Sequence, residues 1–346
     1  MKADAYGHGA KRIAKQLSDA GADFFAVATI EEAVELRSYS INTPILILGY
    51  TPPEQAKTLS DLNISQCVYS YEYAKLLAEC ANRESIKIAI HIKIDTGMGR
   101  LGFIFRHGDE DILAELKEIC SYECFIKEGI FTHFPIADSG HRGEETTVRQ
   151  YELFRNAVSM LEKIGITFKI KHCANSATIL DYPEYSLDMV RAGIFLYGAM
   201  PSDDIVSDIR PKSTFTLKSV VSNVKILKAG DAVGYGSEFV SEKDIRVATV
   251  AIGYADGFLR ANVPNGARVF LNGKLCDVIG RVCMDQIMIN ADAVENVHIG
   301  DEVIIFGEGS AIGAKEYASL NKTIPYEILC NVGKRVPRFY INKKYR

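Results

Sequence analysis

The chain has 346 residues, 47% of them apolar and 24% charged, with a formal net charge of −4. That length suits two domains or one barrel with an appendage, and the apolar share can fill a sizeable core. No long run of one charge sign, no apolar stretch near the ~20 residues of a membrane span and no visible signal peptide speak against nucleic acid or a membrane as the main partner.

Met1-Lys2 stands where a strand would be ending, so the first strand is expected to be cut short and a preceding segment to be missing. Residues 24–29 read as a strand, and Thr29 is expected to cap a helix over 30–37. Residues 44–48 form the next strand, after which Pro52-Pro53 opens a helix. A strand at 66–69 leads to Ser70, which caps a helix through residue 79. Residues 86–94 are an almost uninterrupted apolar strand, broken only by Lys87, His91 and Lys93. Three more strands are expected at 129–132, 168–172 and 186–190. About eight strands, most separated by helices, predict an α/β fold with a closed (β/α)8 TIM barrel over 1–209.

After about residue 210 the chain changes to short β-rich runs between turn signals. Asn265-Gly266 and Asn272-Gly273 are expected to close hairpins. A mostly antiparallel β domain is therefore predicted over 210–346. The eight cysteines include no C-x-x-C pair, so they read as reduced thiols of a cytosolic protein. No metal site is expected, because His8, His133 and His172 lack partners at ligand spacing.

Barrel enzymes carry their chemistry at the C-terminal ends of strands. Polar, glycine-punctuated segments fall there repeatedly: Lys2 to Gly9, Lys93 to Gly102, Thr132-His133-Phe134, His172 to Ser176 and Arg191-Ala192-Gly193-Ile194. A lone histidine at such an end is more often a satisfied core residue than a reactive one. So many polar strand ends are harder to explain by packing. A lysine presented at a barrel mouth can form a Schiff base with an aldehyde cofactor.

Together with Gly234-Tyr235-Gly236, Gly253 to Gly257, Arg281 to Gln286 and Arg335-Val336-Pro337-Arg338, these motifs resemble the alanine racemase family in order and spacing. The resemblance spans essentially the whole chain. It implies a barrel plus a β domain, a homodimer with shared active sites, and pyridoxal 5′-phosphate as cofactor. It implies interconversion of L- and D-alanine in the cytoplasm, supplying D-alanine for peptidoglycan. Lys2 resembles the Schiff-base lysine and one of two bases. Tyr235 resembles the second base, reaching in from the partner subunit. A free phenol titrates near 10, so its surroundings must help. Arg100 matches the arginine that does this, and His133 matches a member of that hydrogen-bond network. Arg191 matches the arginine facing the pyridine nitrogen, where a fixed cation keeps that nitrogen unprotonated and weakens the electron sink.

Tyr6, Ser176, Gly193, Ile194 and Tyr326 match the phosphate-binding positions. Met284 and Asp285 match the substrate-carboxylate site, with Met284 acting through its backbone. Asp138 and Tyr254 match the access corridor. Lys93 matches a lysine that is carboxylated in some members. Some relatives, domains of membrane-anchored resistance proteins, accept serine, and an asparagine at the Tyr326 position enlarges their pocket. This chain keeps the tyrosine, so alanine is expected over serine. The same likeness leaves open that the chain is the cytoplasmic domain of a membrane-anchored parent. Pyridoxal-phosphate decarboxylases on this scaffold place a glutamate against the ring nitrogen, unlike Arg191. Non-catalytic proteins that hold the cofactor lack the β domain and its tyrosine.

Overall fold

The computed structural model describes residues 1–107, 111–310 and 312–341. The chain divides into two compact units. One comprises Met1–Ala5, Ala10–Leu196 and Met200–Pro211, and the other Tyr6–Gly9, Tyr197–Ala199 and the chain from Lys212 onward.

The first unit is built on a parallel sheet. Its strands are β1 (Phe25–Val27), β2 (Ile45–Ile47), β3 (Ile64–Val68), β4 (Ile88–Asp95), β5 (Phe103–Ile104), β6 (Phe125–Phe131) and β7 (Ile170–His172). They lie in the order β1-β2-β3-β4-β6-β7, with β5 paired to β4. Every residue of β3 is buried, as is nearly all of β4. Burial on both faces is what a parallel sheet covered by helices requires. The helices start where the sequence signals them. Thr29, Ser70 and Asn175 each accept a hydrogen bond from the amide three residues on, opening Ile30–Ser38, Tyr71–Arg83 and Ser176–Asp181.

Two expected strands do not form. Met1 bonds the Ala26 carbonyl through its ammonium group (2.8 Å), but the backbone turns away at Lys2. At 186–190 one ladder bond forms, Asp188 N–H to Lys171 O (3.1 Å). Leu187 then takes φ +52° and the Asp188 carboxylate accepts the Lys171 amide, so no second rung follows. The result is a TIM-like sheet of parallel strands flanked by helices, with irregular segments at both ends.

The second unit holds β8 (Leu217–Leu227), β9 (Ala232–Val233), β10 (Phe239–Val240), β11 (Ile245–Val250), β12 (Arg268–Leu271), β13 (Lys274–Ile279), β14 (Ile287–Asn290) and β15 (Glu302–Phe306). Six of them close an antiparallel barrel in the order β11-β14-β13-β12-β15-β8. Part of its core is Val233, Ile245, Val247, Ile279 and Met288. Asn272-Gly273 joins β12 to β13 with both residues at positive φ (45° and 84°), the geometry that matches strand twist in a two-residue hairpin. Asn265-Gly266 closes no hairpin. It ends a turn in which Gly266 N–H bonds Val263 O (3.0 Å) before β12 begins. Among the described residues no helix is long and apolar enough to cross a membrane.

Candidate active site

Lys2 opens a turn of left-handed helix rather than ending a strand. Ala3, Asp4, Ala5 and Tyr6 have φ between 52° and 55°. For L-residues this hand costs about 1–2 kcal/mol each, so four in succession store considerable strain. Such strain persists only where surrounding contacts over-determine it, and it clusters at functional sites. Three contacts do so here. Ala5 N–H bonds Met1 O (2.9 Å), Asp4 Oδ1 accepts Ala10 N–H (2.6 Å), and Glu32 Oε1 accepts Ala3 N–H (2.5 Å). Lys2 itself is exposed.

At the end of β4, Asp95 is buried and shapes the loop that carries Arg100. Its carboxylate accepts the amides of Gly97 (2.8 Å) and Gly99 (3.0 Å) and the guanidinium of Arg106 (2.7 Å). Burial pushes its pKa up, but these donors outweigh burial and hold it below the usual carboxylate range. Thr96 bonds Thr132 across to the end of β6 (2.9 Å), and Arg100 is exposed at the loop's far side. Lys93 is buried. Burial lowers its pKa most, Cys67 opposes that, and the neighbouring Arg100 and Arg191 charges lower it further.

Arg191 is held on several sides. It donates to His172 Nδ1 (2.8 Å), Thr132 O (2.8 Å), Cys173 O (3.0 Å) and His133 Nδ1 (3.2 Å), and its guanidinium lies 5.3 Å from the Phe131 ring centre. Burial lowers its pKa to about 10, so it stays charged near neutrality. A guanidinium can only donate. His172 must therefore accept at Nδ1 and carry its proton on Nε2. It passes that proton's bond to His91 Nδ1 (2.9 Å), and His91 Nε2 donates to Glu128 (3.0 Å), which also takes the Ser65 hydroxyl (2.5 Å). Register makes the chain possible. His91 lies opposite Gly129, where a Cβ would come within 2.3 Å of His91 Nδ1. His133 and His172 are both held well below the ordinary histidine pKa. Burial is the first cause for each, followed by the Arg191 charge.

Ser176 begins the helix Ser176–Asp181, and its hydroxyl accepts the amides of Gly193 (2.8 Å) and Phe195 (3.4 Å). Ile194 is buried beside them. Backbone donors converging on one hydroxyl are a ready anion seat. Asp138 is half-buried, and its carbonyl accepts the Ser202 hydroxyl.

In the second unit Tyr6 stacks on Tyr197 at 4.8 Å and meets Tyr326 at 6.0 Å. Burial pushes the Tyr6 pKa up to about 12, so its phenol remains a hydrogen-bond donor. Tyr235 is 68% exposed on a short turn between Gly234 and Gly236, both at positive φ. Tyr254 and Met284 are joined by backbone bonds, Tyr254 N–H to Cys283 O (3.1 Å) and Ala255 N–H to Met284 O (3.0 Å). Arg335 bridges Asp256 and Asp285 at 2.7 Å each, which fixes Asp285 beside that pair of turns.

The family model for the N-terminal domain of alanine racemase matches residues 1–201, and that for its C-terminal domain matches residues 214–340. The chain belongs to the alanine racemase family. It is 44% identical over 346 residues to alanine racemase 2 of Caldanaerobacter subterraneus subsp. tengcongensis, covering 99% of this chain and 87% of that one. It resembles the solved alanine racemase of Clostridium difficile 630 with a TM-score of 0.91 and 41% identity, over 97% of this chain and 86% of that one. The Bacillus anthracis alanine racemase solved with bound L-Ala-P gives a TM-score of 0.90 at 34% identity, over 99% and 87% of the two chains.

Alanine racemases are pyridoxal-phosphate enzymes. The donor set here fits that group. Arg191 bonds His133 directly (3.2 Å), and after burial its charge, then those of Arg100, Lys93 and Lys2, lower the pKa of that imidazole. Such a cluster suits a ligand carrying phosphate and carboxylate. The first unit thus brings together Lys2, Lys93, Arg100, His133 and Arg191, while the second groups Tyr6 with Tyr326, and Tyr254 with Met284 and Asp285. Sequence reasoning missed His91, Glu128, Asp95 and Tyr197. The one available signal was His91 itself, a polar residue inside an otherwise apolar strand.

Proposed function

We propose that this chain interconverts L- and D-alanine, holding pyridoxal 5′-phosphate through the Lys2 amine. The match of both alanine racemase family models along the chain supports this most strongly, together with the Arg191 guanidinium held by His172, Thr132, His133 and Cys173. When bound, the cofactor supplies an electron sink that acidifies the substrate Cα–H. Lys2 and Tyr235 serve as the two bases, one for each face of Cα, since inversion needs a proton removed from one side and returned on the other. Arg191 would lie against the ring nitrogen of the bound cofactor. Its four acceptors fix the guanidinium, so it stays a donor and leaves no acid there to protonate the ring. Ser176 and the amides about Gly193 and Ile194 hold the phosphate, with Tyr6 and Tyr326. Arg100 steadies the Tyr235 phenol and the substrate carboxylate, which also takes the Met284 amide. Lys93, His133 and Asp285 support these groups, and Asp138 and Tyr254 line the access corridor.

The tyrosine cluster of Tyr6, Tyr197 and Tyr326 narrows the side-chain space and favours a methyl group over a hydroxymethyl group. Tyr235 stands exposed on its turn, which suits a base offered to a partner subunit in a homodimer. Eight free thiols suit the cytoplasm, where D-alanine for peptidoglycan is made. The deciding assay incubates the chain with the cofactor and each enantiomer of alanine and serine in deuterated water. Racemisation and Cα deuteration of alanine above serine, with no carbon dioxide released, is the expected result. Carbon dioxide release or inert alanine would overturn the reading. Mixing Lys2→Ala with Tyr235→Phe protein should restore activity if sites are shared, and heterodimers that stay inactive would refute sharing.

A further inference from the structure

We infer that Glu32 is a positioning residue for Lys2, acting through the peptide bond that follows the lysine. Both carboxylate oxygens are committed to backbone amides. Oε1 accepts Ala3 N–H at 2.5 Å and Oε2 accepts Ala28 N–H at 2.7 Å. The Ala3 amide belongs to the Lys2–Ala3 peptide plane, so this bond orients the backbone from which the Lys2 side chain departs. Ala28 is the residue directly after β1. Glu32 itself sits in the first turn of Ile30–Ser38, whose start is fixed by Thr29. One side chain therefore ties the start of the left-handed turn to the end of a sheet strand and to a helix end.

The local chemistry explains why a carboxylate is needed. A left-handed run of Ala, Asp, Ala and Tyr has no glycine to relax it and must be held from outside. Two facing N–H donors call for two acceptor atoms, which an ionised carboxylate supplies and a carboxamide does not. In Glu32→Gln the amide nitrogen must face one of the two donors. In Glu32→Ala both amides open to water, because position 32 is only half-buried. Glu32→Gln is thus the harsher change despite its closer shape. Glu31→Gln is the control. It alters charge in the same helix turn at an exposed residue that bonds neither amide.

The inference rests on Lys2 being the cofactor lysine, and its test separates the two. Borohydride reduction of the cofactor-loaded parent, followed by peptide mapping, locates the labelled lysine. A label on another lysine would sink that reading alone. Amide exchange at Ala3 in the cofactor-free full chain judges Glu32 regardless. Exchange there should rise at least tenfold in Glu32→Ala, where the Ala3 amide opens to water, and should rise also in Glu32→Gln, with Glu31→Gln unchanged. Pyridoxal phosphate capture, followed by its visible absorbance, should weaken at least tenfold in Glu32→Gln and less in Glu32→Ala. Exchange within twofold of the parent in Glu32→Ala, or capture within twofold of it in Glu32→Gln, would overturn the assignment. If Glu32→Gln fails to fold, Glu32→Ala carries the test, and parent-like values in it would refute the role.

Discussion

Apart from the exposed Lys2 and Arg100, the parallel unit presents its candidate residues differently from the antiparallel unit. In the parallel unit Lys93 is buried, His133 is half-buried and Arg191 is held by four acceptors. In the antiparallel unit Tyr235, Tyr254 and Met284 are 68%, 42% and 53% exposed, each on a turn. Charge that must be pre-aligned is bought with buried hydrogen bonds on a sheet. Groups that must meet something from outside are offered on turns whose backbone is fixed but whose side chains are free. Mutations should therefore split by unit. Changes at Lys93 and Arg191 should harm stability and function together, and changes at Tyr235, Tyr254 and Met284 should harm function alone.

Lys2→Ala should show the largest effect, complete loss of visible cofactor absorbance and of racemisation. A normal spectrum after dialysis against fresh cofactor would remove Lys2 from its role. Tyr235→Phe should slow deuterium wash-in from L-alanine by ~10²–10⁴-fold, the usual worth of a general base, with D-alanine affected less. Its thermal midpoint should stay close to the parent, since exposed substitutions usually shift stability by under about 0.5 kcal/mol. Equal slowing from both enantiomers would end the face-specific assignment. A large loss of stability would break the contrast between units.

Arg191→Ala should lower stability by ~2–4 kcal/mol in urea unfolding, because His172, Thr132 and Cys173 each lose a buried donor. A neutral outcome would mean that the guanidinium is held for function only. The smallest effect is that of pH. His133 and His172 have pKa values depressed in the folded state, so the unfolded chain takes up protons first on acidification. Stability should be full above about pH 6.5 and fall below it, by up to about 1.4 kcal/mol per pH unit for each ring that stays neutral. Amide exchange at pH 5 should rise in β4, β6 and β7 before the antiparallel barrel. The reverse order would place the acid-sensitive groups elsewhere.

Local features were legible in the sequence, and long-range ones were not. Thr29 and Ser70 cap helices because a hydroxyl reaches an amide three residues on, and nothing distant can veto that. Asn272-Gly273 and Asn265-Gly266 look alike as dipeptides, yet only the first lies between strands that pair. Residues 186–190 have a strand's composition, but one left-handed residue, Leu187, ends the ladder. The turn at 3–6 was hidden for a different reason. Ala-Asp-Ala-Tyr has no propensity for it, and part of the restraint comes from Glu32, 29 residues from Ala3. The charged motifs around Lys2, Arg100 and Arg191 were readable as a set, whereas the His91–His172 contact needed the register of β4 against β6.

That row of rings is also an oriented dipole. With each imidazole proton pointing toward Glu128, both rings turn their lone pairs toward Arg191. A half-buried guanidinium bonded to neutral groups thus sits at the negative pole of a polarised column anchored by a distant carboxylate. Reversing the column would require two protons to move together and would set an N–H against a guanidinium. The cation's place is therefore fixed by the direction of a field as well as by its bonds. An alanine at Gly129, by prising the rings apart, would break that field without touching the arginine.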